Sequence, residues 1–205
     1  MNRDEVLKIL QKNLKYSDNS LRKIISFHEE LLIYNNKYNL ISKSTEKDAW
    51  QRHILDSAQL VKYIDFKKSG SLSDLGTGGG FPGIVLAIFN ENINFHVKLY
   101  EKSRVKCIFL KNVVKKLDIK AKILEGSYIE HEINSNYIIC RAFKKFPQIL
   151  KISREIAKKP HRLIILKGKN AQDELNKATM TSKFEYKLEN SITDKESKIV
   201  LLNVR

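Results

Sequence analysis

The sequence predicts an α/β fold: a mostly parallel sheet between helices, with an antiparallel C-terminal edge and a helical N-terminal extension. Three observations predict it. Before residue 70 the apolar residues recur at three-and-four spacing and no strand pattern occurs. From residue 71 onward, short apolar runs alternate with helical stretches, as parallel strands joined by crossovers do. At the end two strand-like runs, 184–188 and 198–204, follow with little between them, which suits an edge hairpin.

The elements follow in order. Residues 4–15 read as a short amphipathic helix. A second helix starts near Ser17 or Asp18, with Leu21, Ile24, Ile25, Leu31 and Leu32 in one stripe. Thr45 with Asp48 has the form of a capping box opening a third helix to about Tyr63; Trp50, Ile54, Ser57 and Val61 lie along one side. Residues 71–75 form a strand, followed by a glycine loop and a helix to about Phe89. Residues 95–100 form the second strand. The helix 104–117 is read with Val105, Ile108, Phe109 and Val113 facing inward. Strands at 121–124 and 137–140 precede a basic helix over 146–158 with Ile149, Ile152 and Ile156 on one side. A fifth strand (163–166) and a helix (170–180) complete the alternation. The expected division is a helical extension, 1–66, packed on a ligand-binding domain, 67–205.

The most informative segment is Asp74-Leu-Gly-Thr-Gly-Gly-Gly-Phe-Pro-Gly83, which holds five of the eight glycines. Glycine reaches positive φ and lets a ligand lie against bare backbone. A helix start offers free N–H groups to a polar or anionic ligand, and Pro82 suits a first turn. Gly78-x-Gly80-x-x-Gly83 satisfies a dinucleotide fingerprint, and Glu101 follows at the end of the second strand, where an acid bonds ribose hydroxyls. The ligand is therefore adenosine-like, NAD or S-adenosylmethionine. The acid-apolar-Gly-x-Gly form and the lack of a second substrate domain favour S-adenosylmethionine.

Composition bounds the partners. Of 38 basic residues, 30 are lysine, and the net charge is +15. Coding bias toward lysine would spread it evenly. Instead residues 98–169 carry 19 basic and 6 acidic groups, net +13. Concentrated charge points to a polyanion such as nucleic acid. The two cysteines, Cys107 and Cys140, have no metal or redox spacing, the five histidines are scattered, and no metal is expected. Neither an apolar leader nor a run long enough for a membrane span is present, so a cytoplasmic protein without a membrane partner is expected.

These residues resemble those of a known family, the bacterial small-subunit ribosomal RNA guanine-N7 methyltransferases (GidB or RsmG). Tyr38-Asn-Leu40 and Arg52-His-Ile-Leu-Asp-Ser57 are similar to its helical signature. Gly76-Thr-Gly-Gly-Gly-Phe-Pro-Gly83 is similar to its cofactor loop. Glu101 through Lys106, Phe109-Leu110, Arg141-Ala-Phe143 and Leu166-Lys-Gly168 continue the likeness in order. The resemblance implies a Rossmann-like class I methyltransferase sheet, S-adenosylmethionine as cofactor, and methyl transfer to guanine N7 of 16S ribosomal RNA or the small ribosomal subunit. A monomer is expected, although nothing in the sequence decides the oligomeric state. The resemblance also implies that Gly76 and Phe81 line the cofactor, that Ile129-Glu130 flanks the adenine, and that Arg141 contacts the cofactor. Gly78 and Glu101 join them by the physical argument above. Ser197-Lys198 stands where the family has Arg-His, and Asn136 where it has Asp.

Guanine N7 carries its own lone pair, so no general base is needed and positioning is the task. No catalytic residue is certain; Arg141, at the carboxyl end of a parallel strand, could hold a methionine carboxylate or an RNA phosphate. His53 and Asp56 could cap the pocket, reach RNA, or bond the helix to the sheet. Lys106, Lys111, Lys115, Lys144, Lys145 and Lys167 are candidate RNA contacts. An NAD-dependent oxidoreductase and a non-catalytic RNA-binding module remain alternatives.

Overall fold

The computed structural model describes residues 1–181 and 184–205. Seven strands form one sheet in the order β3-β2-β1-β4-β5-β7-β6. They are β1 (Gly70–Leu75), β2 (Phe95–Glu101), β3 (Ala121–Glu125), β4 (Tyr137–Arg141), β5 (His161–Lys167), β6 (Tyr186–Asn190) and β7 (Lys198–Val204). The first five are parallel, and β7 inserts antiparallel between β5 and β6.

Strands β4, β5 and β7 are apolar through their middles because both faces are covered. Ile139, Ile164, Ile199 and Leu201 point into one core, with α1 (Arg3–Lys12), α2 (Asp18–Asn35), α5 (Gly83–Phe89) and α6 (Arg104–Lys116). Their neighbours Ile138, Leu163, Ile165, Val200 and Leu202 point into the other, with α7 (Phe146–Ile156) and α8 (Ala171–Thr181). Val6, Leu10, Ile24, Phe27 and Leu31 of the N-terminal helices are fully buried in the first core. The N-terminal helices thus share a core with the sheet.

Several expectations change in detail. Asn2 caps α1 through a box with Glu5, which starts the helix at Arg3. The third helix is not one α-helix. A short α3 (Lys43–Glu46) starts after Ser42. Then come a π-helical segment at Trp50–Leu55, a short α4 (Asp56–Ala58) and a 3-10 turn at Gln59–Tyr63. The Thr45–Asp48 box does not form, because the Thr45 hydroxyl donates to Ser42 O and meets His53 Nε2 at 2.9 Å. Pro82 precedes α5 as its cap residue rather than entering its first turn. In α6 the buried residues are Cys107, Phe109, Leu110 and Val113, whereas Val105 and Ile108 are exposed. The inward face is rotated from the expected one because Cys107 and Leu110 turn toward the sheet.

Candidate active site

The carboxyl ends of the parallel strands carry two clefts, divided by the turn after β4. The loop after β1 builds the first. Gly76, Gly78 and Gly80 all have positive φ, which L side chains rarely adopt. A Cβ at Gly78 would meet nothing nearer than Gly76 O at 3.9 Å, so that backbone is open to the cleft. A Cβ at Gly83 would instead lie 2.6 Å from Asp74 Oδ2; this glycine is needed for helix-to-strand packing. Asp74 is fully buried. Its Oδ2 accepts the Gly83 N–H at 2.8 Å, and the buried Thr77 hydroxyl acts on the same carboxyl. Burial pushes the Asp74 carboxyl up to about 7, with hydrogen bonds and the Arg141 charge pulling the other way.

This first cleft has a volume of about 420 Å³. Glu101 forms one wall, Tyr128 and Phe143 offer aromatic surface, and Gly76, Gly78 and Ser127 supply backbone and hydroxyl. Glu101 is held from both sides. Its Oε2 accepts from Gly78 N at 2.9 Å and its Oε1 from Ser103 N at 2.8 Å. Each oxygen keeps a lone pair for a further donor. The bare glycine backbone, the aromatic faces and the fixed carboxylate together fit an adenosine-bearing cofactor.

The second cleft, about 560 Å³, lies beyond the turn. The 45–56 segment, the ends of β4 and β5, and the turn before β7 line it, with Asp48, Gln51, Asp194 and Ser197 among the polar side chains. Ala142, at φ 49, makes the sharp bend between the clefts: it faces the second, while Phe143 and Lys144 face the first.

Arg141 ties these parts together. Its guanidinium donates to Arg52 O at 3.0 Å and to His53 Nδ1 at 2.9 Å. It lies 3.8 Å from Asp56 and 5.3 Å from the centre of the Phe81 ring. An acceptor at Nδ1 fixes His53 as the neutral Nε2–H tautomer, which donates to Thr45. Burial, then the Arg141 and Arg52 charges, pull the His53 pKa down to about 3. Asp56 Oδ1 accepts from Gln59, Ser191 and Thr193, so β4, the 50–63 segment and the β6–β7 turn are locked by one polar network.

Residues 20–202 match the family described as GidB, rRNA small subunit methyltransferase G. The chain belongs to the GidB family. It is 36% identical over 176 residues to ribosomal RNA small subunit methyltransferase G of Pelagibacter ubique, covering 83% of this chain and 81% of that protein. It is 33% identical to the protein of the same name from Orientia tsutsugamushi, with 98% of each covered. Among solved structures it is similar to an O-methyltransferase from Bacillus cereus in complex with SAH (TM-score 0.59, 13% identity, 98% and 97% covered), a likeness of fold.

Within this GidB chain, the expected cofactor residues separate into groups. Gly76, Gly78 and Glu101 line the first cleft. Phe81 is buried beneath it, against Phe27, His53 and Arg141. Arg141 lines the second cleft. Ile129 is 71% exposed and, with Glu130, borders a neighbouring cavity; Glu130 caps its own turn by accepting from Ser127 N. Of the lysines, Lys106 and Lys144 reach the first cleft and Lys167 the second. Lys111 pairs with Glu125, and Lys167 with Glu174. Lys115 and Lys145 are exposed. Sequence reasoning missed Phe143 and Tyr128 as walls and Asp48 and Asp194 as acids of the second cleft. The aromatic residue after Arg-Ala was the available signal for the first; isolated surface acids carried none. Among the described residues no group of three or more His, Cys, Asp or Glu could hold a metal, and no helix is long and apolar enough to cross a membrane.

Proposed function

We propose that this chain transfers a methyl group from S-adenosylmethionine to N7 of a guanine in 16S ribosomal RNA. Residues 67–205 form the cofactor domain, and residues 1–66 the extension that completes the acceptor side. The observation that carries the reading is the pair of clefts meeting at the 141–144 turn in a GidB chain.

Gly76, Gly78, Glu101, Tyr128 and Phe143 would hold the cofactor, which supplies an electrophilic methyl on a sulfonium. Glu101 accepts from ribose hydroxyls with the lone pairs its backbone bonds leave free. Phe81 supports the loop from below, and Arg141 steadies Phe81 and the 50–56 segment against each other. Asp56 faces the Arg141 guanidinium and offsets its charge. That matters because N7 methylation leaves the purine positive. Asp48 and Asp194, on the second cleft, favour that developing charge. Neutral His53 adds no opposing charge. No residue needs to take a proton from N7. The chain's contribution is to hold the base in line and exclude water, and orientation can supply roughly 7–11 kcal/mol.

The test is methyl transfer from labelled S-adenosylmethionine to 16S ribosomal RNA lacking the modification, followed by nucleoside analysis. Label in 7-methylguanosine supports the reading. Absence of label, or label in another nucleoside, overturns it.

A further inference from the structure

Of the eight large hydrophobic residues exposed among the described residues, four converge on one groove: Ile33, Tyr38, Val105 and Ile108. They are between 40% and 58% exposed, and the groove, about 430 Å³, is completed by Tyr34 and Lys37. Scattered exposed apolar residues are ordinary, but a contiguous group marks an interaction site. It lies between α2 and α6, outside both clefts.

Two observations say what it receives. The first is charge. No acid lines the groove, whereas Lys37 does. On α6, Lys111 and Lys115 follow Ile108 at three- and seven-residue spacing, placing them on the side that continues the groove. Lys102 and Lys106, which flank Val105 in sequence, line the cofactor cleft. An apolar floor with Lys37 on its lining and Lys115 along the same side of α6 suits a nucleobase with its phosphate. The second is position. Leu40, two residues after Tyr38, has its carbonyl 3.1 Å from where a Gly79 Cβ would stand, so the groove's wall abuts the cofactor loop.

The wall is also pre-formed. Tyr38 N donates to Tyr34 O at 2.9 Å, and Asn35 Oδ1 accepts from Leu40 N and Ile41 N at 2.9 and 3.0 Å. Asn112 Nδ2 donates to the Tyr34 hydroxyl at 2.9 Å, tying α6 to α2 across the floor. An aromatic ring held on a fixed turn stacks a base with little ordering cost.

We propose that this groove is a stacking platform for an unpaired RNA base flanking the methylated guanine, with Tyr38 as the ring, Val105 and Ile108 as the opposing apolar wall, and Lys37 and Lys115 toward the phosphates. The inference rests on the RNA-methyltransferase reading above. It explains how single-stranded RNA, whose bases can be splayed out, is held while one guanine enters the catalytic cleft.

The experiment measures binding of protein-free, unmodified 16S ribosomal RNA to the full chain by fluorescence anisotropy. The proteins are wild type, Tyr38→Ala, Tyr38→Phe and Ile108→Glu, with S-adenosylmethionine affinity measured alongside. The expected result is roughly tenfold weaker RNA binding for Tyr38→Ala and Ile108→Glu, with Tyr38→Phe near wild type and cofactor affinity unchanged in all. Wild-type protein that binds and methylates this RNA, with variants that bind it equally well, overturns the platform and leaves the enzyme reading intact. Variants that bind naked RNA normally yet fail only on assembled subunits place a protein in the groove and overturn the inference too. Wild type that neither binds nor methylates the RNA overturns the reading beneath it. Because both side chains are surface-exposed, unchanged circular dichroism and melting temperature guard against a folding defect.

Discussion

Replacing Asp74 by asparagine should change how stability depends on pH. Asp74 is fully buried near the end of β1, with one oxygen bonded to Gly83 N–H. Burial raises its pKa from the ordinary 3.8 to about 7. The folded chain therefore holds this proton more tightly than the unfolded one does. The stability it confers is fully present below pH 3.8, declines between there and about 7, and is lost above. At about 1.36 kcal/mol per pH unit, the loss approaches about 4 kcal/mol above neutrality. Asparagine is neutral throughout and keeps a carbonyl oxygen for Gly83. Urea unfolding of both proteins at pH 5, 6, 7 and 8, at fixed ionic strength and without cofactor, separates the two. Mutant minus wild-type stability should rise by about 1 kcal/mol per unit from pH 5 to 7 and then level off. The slope carries the test, since the offset also contains the new amide's own packing. A difference that is flat with pH would refute the buried, proton-holding carboxyl.

Other substitutions address the packing and the network. Gly83→Ala places a methyl against Asp74 and Leu99; overpacking of about 1–3 kcal/mol should lower the melting temperature by about 5 °C in differential scanning calorimetry. Gly76→Ala meets Phe143 Cδ2 at 2.8 Å in a positive-φ position, so it should weaken S-adenosylmethionine binding in calorimetric titration by about tenfold or more. Arg141→Ala leaves Asp56 without its cation and His53 Nδ1 without its donor; urea unfolding should report a loss of about 3 kcal/mol. If cofactor affinity is unchanged in that variant once it is folded, Arg141 acts through the network rather than by touching the methionine carboxylate.

The sheet was legible because β4, β5 and β7 carry apolar runs of the right length and the other strands alternate with helical stretches, and the loop because its glycines sit at a strand end. What failed did so for local reasons. Helix α6 has apolar residues at 105, 107, 108, 109 and 110, spanning more than half its circumference. Periodicity alone then leaves the phase open, and the sheet chose Cys107 and Leu110 over Val105 and Ile108. The Thr45–Asp48 box obeyed local rules, but His53 claimed the threonine from eight residues away. Arg141 was rightly placed at the end of β4, yet spacing carries no side-chain direction. Its turn toward Arg52 and His53 depends on carbonyl and imidazole acceptors from an element 88 residues distant.

The same distinction decides which lysines can bind RNA. Lys167 is 13% exposed, bonded to Glu174 at 2.8 Å and to Lys144 O at 2.7 Å; recruiting it to a phosphate would break both bonds and leave the partly buried Glu174 carboxylate without its cation. Lys111 also has a partner, Glu125, but both are about half-exposed, and such a pair is worth about 0–1 kcal/mol, so a phosphate can displace the glutamate cheaply. Lys106 and Lys144 already face the cofactor cleft, and Lys115 is exposed with no ion pair among the described residues. Counterion release should follow this order. Charge removal at Lys115 and Lys144 together should lower the slope of log affinity against log salt by about one to two. Lys167→Gln should lose stability and leave that slope almost unmoved. An equal fall in slope for Lys167→Gln would mean that the Lys167–Glu174 pair opens to meet RNA, and that internal commitment does not separate structural cations from binding ones in this fold.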